Sequence, residues 1–468
     1  MRRSIEDTSI VFIGAGNLAT NLAKALYDNG FRIIQVYSRT EESARALAQV
    51  VEATYTTDLS SVVTDAQLYI VSLKDAAFVQ LLPEIVAGKE NALWVHTAGS
   101  IPMDVWADKV NRYGVLYPMQ TFSKQRVVDF QHIPIFVESN SEADTRFLKA
   151  VASVLSKQVY EATSEQRKNL HLAAVFTCNF TNHMYALAAG LLKKHQLPFE
   201  IMLPLIGAGN VATHLGIALQ KAGCLILQVY SRTEESASAL ADRLLVDYTI
   251  VPDEIRRDAD LYIVALKDAV LRQLAPVLVK GREQALFVHT AGSMPMDLWK
   301  GLVKRYGVLY PMQTFSKQRE VDFNTVPFFI EASAPAEVGV LRMVAVRLSP
   351  KVYEVTSGQR RHLHLAAVFA CNFANHMYAL SSHILEKQGI SFEVMLPLID
   401  ETAGKVHELS PTQAQTGPAV RYDENVISKH LEMLADEESL QELYEKISKS
   451  IHNLPLSVIQ ANKEGKNS

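Results

Sequence analysis

Cysteine is scarce, and Cys178, Cys224 and Cys371, the three in 468 residues, neither build a disulfide framework nor match any zinc-ligand spacing. Positive charge is not concentrated either. No run of Lys or Arg exceeds a pair such as Lys193–Lys194 and the formal net charge is −4, which argues against a nucleic-acid footprint or a polybasic membrane patch. Long apolar runs are missing from the start of the chain: in MRRSIEDTSIVFIG the longest apolar run before the glycine is Ile10–Ile13, too short for a signal segment or a membrane span. A cytoplasmic protein without nucleic-acid or membrane partners is expected. What remains, 48% hydrophobic and 21% charged residues without low-complexity tracts, is the make-up of a globular chain with a large core. At ~150 residues per domain, about three domains are expected.

The chain is one unit written twice. GAGN at Gly14–Asn17 recurs at Gly207–Asn210, and VYSRTEES, LYIV, VHTAGS, YPMQTFSKQR, HLAAVF, NHMYAL and MLPLI recur at the same offset of 193 residues. So long a period means a tandem pair of domain-sized units rather than a solenoid. Residues 14–206 align with 207–399, and 400–468 occur once. The seam is uneven: the first glycine turn follows the β-branched TSIVFI, the second follows EIMLPLI with Pro204, which lacks a ladder donor. An irregular junction is expected there.

Within the first copy, Ser9–Ile13 reads as a buried strand, Gly14–Gly16 as a turn, Leu18–Asn29 as an amphipathic helix and Arg32–Tyr37 as the next strand. Leu68–Leu73, Ala92–Val95 and Gly114–Leu116 read as later parallel strands. After Val159–Glu161 a long helix runs from Ser164 to about Gln196, opened by the capping box Thr163…Gln166 and echoed by Thr356…Gln359. The tail is helical by period, with a break at SPTQAQTGPAV. The expected class is α/β: two doubly wound Rossmann-like parallel-sheet domains, 1–162 and 201–355, each followed by an all-α domain. That helical domain is truncated in copy one (163–200) and complete only in copy two (356–468).

Gly14-Ala-Gly16-Asn17-Leu-Ala19 is a GxGxxA turn between strand and helix, the frame that a dinucleotide fingerprint requires. Gly207, Gly209 and Asn210 repeat it. At the end of the second strand, where an NAD site places a carboxylate, the sequence has Ser38, Arg39 and Thr40, repeated as Ser231, Arg232 and Thr233. A guanidinium and two hydroxyls suit a 2′-phosphate, so NADP is the expected cofactor. The other reading makes SRTEE a helix cap. His96 and His289, at strand ends, are candidate acid–base groups or satisfied structural donors. On the long helix His171, Cys178, Asn179 and Asn182 share one stripe, facing a pocket or gluing helices together. Cys178 lacks an activating cation and is not expected to be a nucleophile.

Together GAGN, VYSRT, HTAGS, YPMQTFS, HLAAVFxxNF and TGPAVRYD with His430 resemble the bacterial Rossmann-like proteins that carry a C-terminal domain of unknown function 2520. These are distant relatives of pyrroline-5-carboxylate reductases, deazaflavin-dependent NADP oxidoreductases and β-hydroxyacid dehydrogenases. The resemblance implies NADP binding and hydride exchange with a small imine, ketone or hydroxyacid. Asn179 and Asn372 would orient substrate, His96 and His289 would assist proton transfer, and Arg421 and Asp423 would complete the pocket. The related dehydrogenases bear a lysine on the long helix, and none is evident here. A non-catalytic NADP-binding sensor is the alternative. Because the tail occurs once, the first long helix is expected to lack cover, and an internal pseudo-dimer or a homodimer through the helical domains is expected to bury it.

Overall fold

A computed structural model describes residues 5–122, 128–197, 211–315 and 320–464, without the side chains of 6 and 455–464. The chain divides into two compact units, Met1–His183 with His376–Ser468, and Met184–Asn375.

From the start of the chain the elements are β1 (Ser9–Ile13), α1 (Asn17–Asp28), β2 (Arg32–Tyr37), α2 (Glu41–Val50), β3 (Thr54–Thr56), β4 (Leu68–Val71), α3 (Asp75–Val86), β5 (Leu93–His96), β6 (Arg112–Pro118), β7 (Ile135–Ser139), α4 (Glu142–Leu155) and β8 (Val159–Glu161). They form one sheet in the order β3-β2-β1-β4-β5-β6-β7-β8, parallel except between β6 and β7. The central strands SIVFI, LYIV and LWVH are buried along their whole length, as strands covered by helices on both faces must be. Alternation sorts their side chains: Ile10 and Phe12 join Leu22, Leu26 and Leu148 in one core. Val11 and Ile13 join Phe78, Leu82 and Trp106 in the other.

The long helix follows as α5 (Ser164–Ala174), a π-helical turn Val175–Phe180, and α6 (Thr181–Lys194). Its capping box forms as the sequence predicts, with Thr163 Oγ1 accepting from the Gln166 amide at 3.2 Å. The π-helical turn was not predicted; VFTCNF adopts it, and VFACNF (Val368–Phe373) adopts it again in copy two.

The second unit contains α7 (Val211–Lys221), β9 (Gln228–Tyr230), α8 (Glu234–Leu244), β10 (Asp247–Thr249), β11 (Leu261–Val264), α9 (Asp268–Val279), β12 (Leu286–His289), β13 (Arg305–Pro311), β14 (Phe328–Ala332), α10 (Pro335–Val346), β15 (Val352–Glu354) and α11 (Ser357–Ala367). Among the described residues β9 and β10 pair alone and β11 to β15 form a separate sheet. The predicted irregular seam at EIMLPLI, with Gly207, Gly209 and Asn210, lies outside the described residues.

The last elements are α12 (Ala374–Glu386), α13 (Leu396–Glu408), α14 (Pro411–Ala414), α15 (Glu424–Met433) and α16 (Glu438–Glu464). From His376 onward they belong to the first unit. Phe176 and Phe180 pack on Tyr444 of α16 at ring distances of 5.9 and 5.2 Å. The Phe176 region of the first long helix is thus covered by the tail.

Helix and sheet of the first unit are pinned by an ion pair. Arg167, 1% exposed, bonds Glu138 of β7, and its other nitrogens donate to Ile101 O at 2.6 Å and Ala98 O at 3.3 Å. Arg167→Met leaves the half-buried Glu138 carboxylate without its charged partner, and the expected loss is about 3 kcal/mol. Urea unfolding followed by peptide-resolved hydrogen exchange over 93–183 measures it; unchanged protection there contradicts the role given to the pair.

Candidate functional site

The strand order reverses between β1 and β4, and in open α/β sheets the ligand crevice lies beyond the carboxyl ends of the strands at such a switch point. Gly14 ends β1 with φ +117°, and a Cβ there would fall 2.3 Å from Ser72 O, so only glycine fits. Its amide donates to Tyr37 O at 2.8 Å, closing the turn against β2. Beside Gly16, by contrast, a side chain would meet open space. No side chain caps α1, so its first amides and positive dipole end are available to an anion, and Asn17 Nδ2 is tied to Phe122 O at 3.1 Å. At the end of β2 Arg39 and Thr40 are exposed and Ser38 is half-buried. Thr40 sits at the N-cap of α2 without making a side-chain cap bond, so the capping alternative for SRTEE is not what the structure shows at that residue. Ser231, Arg232 and Thr233 repeat the arrangement before α8, where Thr233 again makes no side-chain cap. These residues fit a dinucleotide.

The next wall comes from β5 and β6. Thr97 Oγ1 donates to Ser72 Oγ at 3.1 Å and Ser100 Oγ to Asp75, which ties the loop after β5 to the loop after β4. Tyr117, at the end of β6, has its hydroxyl 3.3 Å from His171 Nδ1. After β6, Thr121 receives Lys405 of α13, whose Nζ donates to Thr121 Oγ1 at 2.6 Å and Thr121 O at 2.9 Å and lies 3.4 Å from Glu401. Lys405, 6% exposed, was missed in the sequence. The available signal was its spacing, since Glu401 and Lys405 are an i,i+4 pair on the helix.

The tail completes this wall through the polar stripe of the long helix. Asn182 Nδ2 donates to Pro411 O at 2.8 Å and Gln415 Oε1 at 3.1 Å, and Asn179 Nδ2 donates to Thr416 Oγ1 at 3.1 Å. Asn182 is therefore helix-to-tail glue, while Asn179 sits beside the TGPAV loop. Cys178 is buried against Leu398 O and its thiol is pushed up to about 12 by burial, consistent with its exclusion as a nucleophile. Asp423 caps α15 and Arg421 is exposed, so the structure does not join that pair to Asn179 by any hydrogen bond among the described residues. In the second unit Asn372 is exposed and Phe373 is 42% exposed. The tail is thus hydrogen-bonded to the long helix of copy one.

Three family descriptions match the chain: the domain of unknown function DUF2520 over 133–217 and 326–451, "NADP oxidoreductase coenzyme F420-dependent" over 9–98, and a Rossmann-like domain over 193–312. A "putative NADP oxidoreductase" of Bacteroides fragilis is 40% identical, with 96% of this chain and 100% of that one covered and a TM-score of 0.36. The chain belongs to the DUF2520 Rossmann-like family. A Thermotoga maritima protein is 19% identical, covering 52% of this chain and 98% of that one at a TM-score of 0.40. A pyrroline-5-carboxylate reductase of Coxiella burnetii is 18% identical, covering 36% and 63% at a TM-score of 0.30. No curated protein matches. Among the described residues no helix is long and apolar enough to cross a membrane.

In this DUF2520 protein the two predicted acid–base histidines are not in the crevice. His96 shares the Trp94 face of β5 and packs against Phe78 and Trp106 at 5.6 and 6.2 Å, while its Nδ1 accepts the Ala98 amide at 3.2 Å. Burial, helped by the Arg167 charge, pushes it down to about 3. His289 repeats the arrangement and is pushed down to about 4 by burial and Arg360. Both are held neutral in the core with Nδ1 accepting a backbone amide. His183, bonded to Ser450 at 2.9 Å, is likewise lowered to about 4 by burial.

These histidines bind protons when unfolded at pH 6.5 and below but not when folded, so the unfolded state gains protons and stability falls as pH drops from about 6.5 toward 4. Each contributes a slope of up to about 1.4 kcal/mol per pH unit. Urea midpoints between pH 7 and 5, above the carboxylate range, report it; a flat profile means that the histidines are not held neutral.

Proposed function

We propose that the first unit is an NADP(H)-dependent oxidoreductase site acting on a small imine, ketone or hydroxyacid. The observation that carries this reading is the uncapped start of α1 behind Gly14, placed in a fold where exposed Arg39 and Thr40 stand at the end of β2 in place of a carboxylate. The α1 amides hold the pyrophosphate, and Ser38, Arg39 and Thr40 hold the 2′-phosphate. When bound, the nicotinamide supplies hydride chemistry. Asn179, kept in place by Thr416, lies on the helix face from which substrate is oriented. Copy two repeats the phosphate-selecting triplet but leaves Asn372 exposed, so the chemistry is assigned to copy one.

Calorimetry is expected to show NADP(H) bound more tightly than NAD(H) by about tenfold or more, since a charged hydrogen bond contributes roughly 1.5–3 kcal/mol. Arg39→Ala together with Arg232→Ala removes that preference and leaves NAD(H) affinity unchanged. Equal affinities in the unsubstituted protein contradict the reading. Tight NADPH binding without turnover over a panel of imines, keto acids and hydroxyacids identifies a sensor instead.

A further inference from the structure

Four aromatic titratable side chains converge in the first unit. The hydroxyl of Tyr117 stands 3.3 Å from His171 Nδ1, the His171 ring lies 5.3 Å from that of His430, and His430 Nδ1 is 2.7 Å from the Tyr444 hydroxyl. They come from β6, α5, α15 and α16. His171 sits directly over the loop that follows β5: a Cβ on Gly99 would come 3.0 Å from His171 Cβ and Cγ and 2.9 Å from Tyr117 Cζ. Arg167, one helical turn earlier on the same face, clamps that loop at Ala98 and Ile101. The loop and the imidazole are therefore fixed to each other by one helix.

His430 is 2% exposed and Tyr444 is fully buried, whereas His171 retains part of its surface, and among the described residues its Nε2 makes no hydrogen bond. From these positions we infer that His171 is the proton-exchanging group of the first unit, working through Nε2, with Tyr117, His430 and Tyr444 as positioning residues behind it. The inference rests on the NADP(H) reading above. In the oxidising direction the carbinol C–H bond breaks with its electron pair passing to oxidised nicotinamide, which is reduced. The O–H bond breaks as Nε2 takes the proton, and the C=O bond forms. Reduction is the reverse, with imidazolium giving the proton back.

The electrostatics agree with a base. Burial lowers the His171 pKa and Asp75 opposes the shift, so the ring is neutral at pH 7. Burial and the neighbouring His171 and Lys429 hold His430 well below its ordinary value, so it does not compete for the proton. Burial raises Tyr117 above its ordinary range, which keeps its hydroxyl protonated beside Nδ1. Arg167 is paired with Glu138. In the second unit Tyr310 and His364 repeat the first two members at 3.4 Å, but the histidine and tyrosine of the tail have no copy there.

The test uses the full chain with ring-labelled histidine, His171 being assigned by the signal lost in His171→Asn. Its resonance is expected to titrate with a midpoint below 6.5, to move when NADPH is added, and to change midpoint in Tyr117→Phe. The His96 signal is expected to stay fixed over pH 5–8. His171→Asn is expected to bind NADPH within about twofold of the parent and to lower kcat for any hydroxyacid turned over by about 100-fold or more, with KM little changed. In the parent the oxidation rate is expected to fall tenfold per pH unit below the NMR midpoint. A His171 signal that neither titrates nor responds, while NADPH still binds, overturns this inference alone. No NADPH binding by the parent overturns the cofactor reading and this inference with it. Should His171→Asn not fold, Tyr117→Phe and the parent titration decide.

Discussion

The first unit depends on one buried ion pair. Arg167 and Glu138 join three pieces of chain that are far apart in sequence: the loop after β5, strand β7 and the start of the long helix. Glu138 also accepts from the amide and hydroxyl of Ser164 at 2.9 and 2.8 Å, and Ser164 in turn accepts from the Met103 amide at 2.8 Å. A buried charge is tolerable only when its hydrogen bonds are met, and here almost all are met by groups that must also stay in place for the helix to lie on the sheet. The same pair, Arg360 with Glu331, recurs in the second unit with Ser357 as its companion. What the pair fixes is the angle at which the polar face of the helix meets the strand ends, so the crevice inherits its geometry from this contact.

Beyond that contact the two copies part company. Each compact unit holds the first half of one long helix and the second half of the other, with the exchange near His183 and His376. The side chains record it. Thr177 of the first helix donates to Ser381 of α12 at 2.7 Å inside the first unit. The residues equivalent by the 193-residue offset are Ala370 and Ala188, both buried in the second unit. A hydroxyl meets a hydroxyl in one unit, and the corresponding positions of the other are both methyl groups. Pairing Thr177 or Ser381 with an alanine would leave a buried hydroxyl without this partner, a cost of about 1–3 kcal/mol, so the exchanged arrangement is favoured by sequence differences as small as two oxygens.

The fold was legible where the signal is local. The order of the strands, the limits of β1 and β2, the glycine turn and both capping boxes follow from patterns within a few residues and appear in the structure. The partner of the tail was not legible, because VFTCNF and VFACNF offer nearly identical surfaces and only long-range packing distinguishes them. His96 was left open between an acid–base and a structural role although a cue was present. LWVH alternates, so His96 shares a face with Trp94, and a histidine on the face of a core tryptophan points into the sheet-helix layer rather than off the strand end. The long-helix stripe was legible as polar, yet its division into glue at Asn182 and crevice at Asn179 and His171 required knowing where residues 410–417 lie.

A duplicated chain with a single tail cannot close two sites. Phe180 is fully buried under Tyr444 while its equivalent Phe373 is 42% exposed, and burying a phenylalanine side chain is worth roughly 2–3 kcal/mol. That gain is available once per chain, and it goes to the copy whose polar stripe the tail also satisfies. The second copy nevertheless contributes to the first site, because its α12 runs into the first unit. There Ser381 meets Thr177, and His383 and Lys387 hold Glu437 at 2.8 and 2.6 Å, just before α16 delivers Tyr444. Tyr444 in turn reaches His430, and the His430 ring contacts that of His171. The duplicated half therefore anchors the helix that backs the crevice of the first, and the uneven burial of two near-identical sequences follows from there being one tail to share.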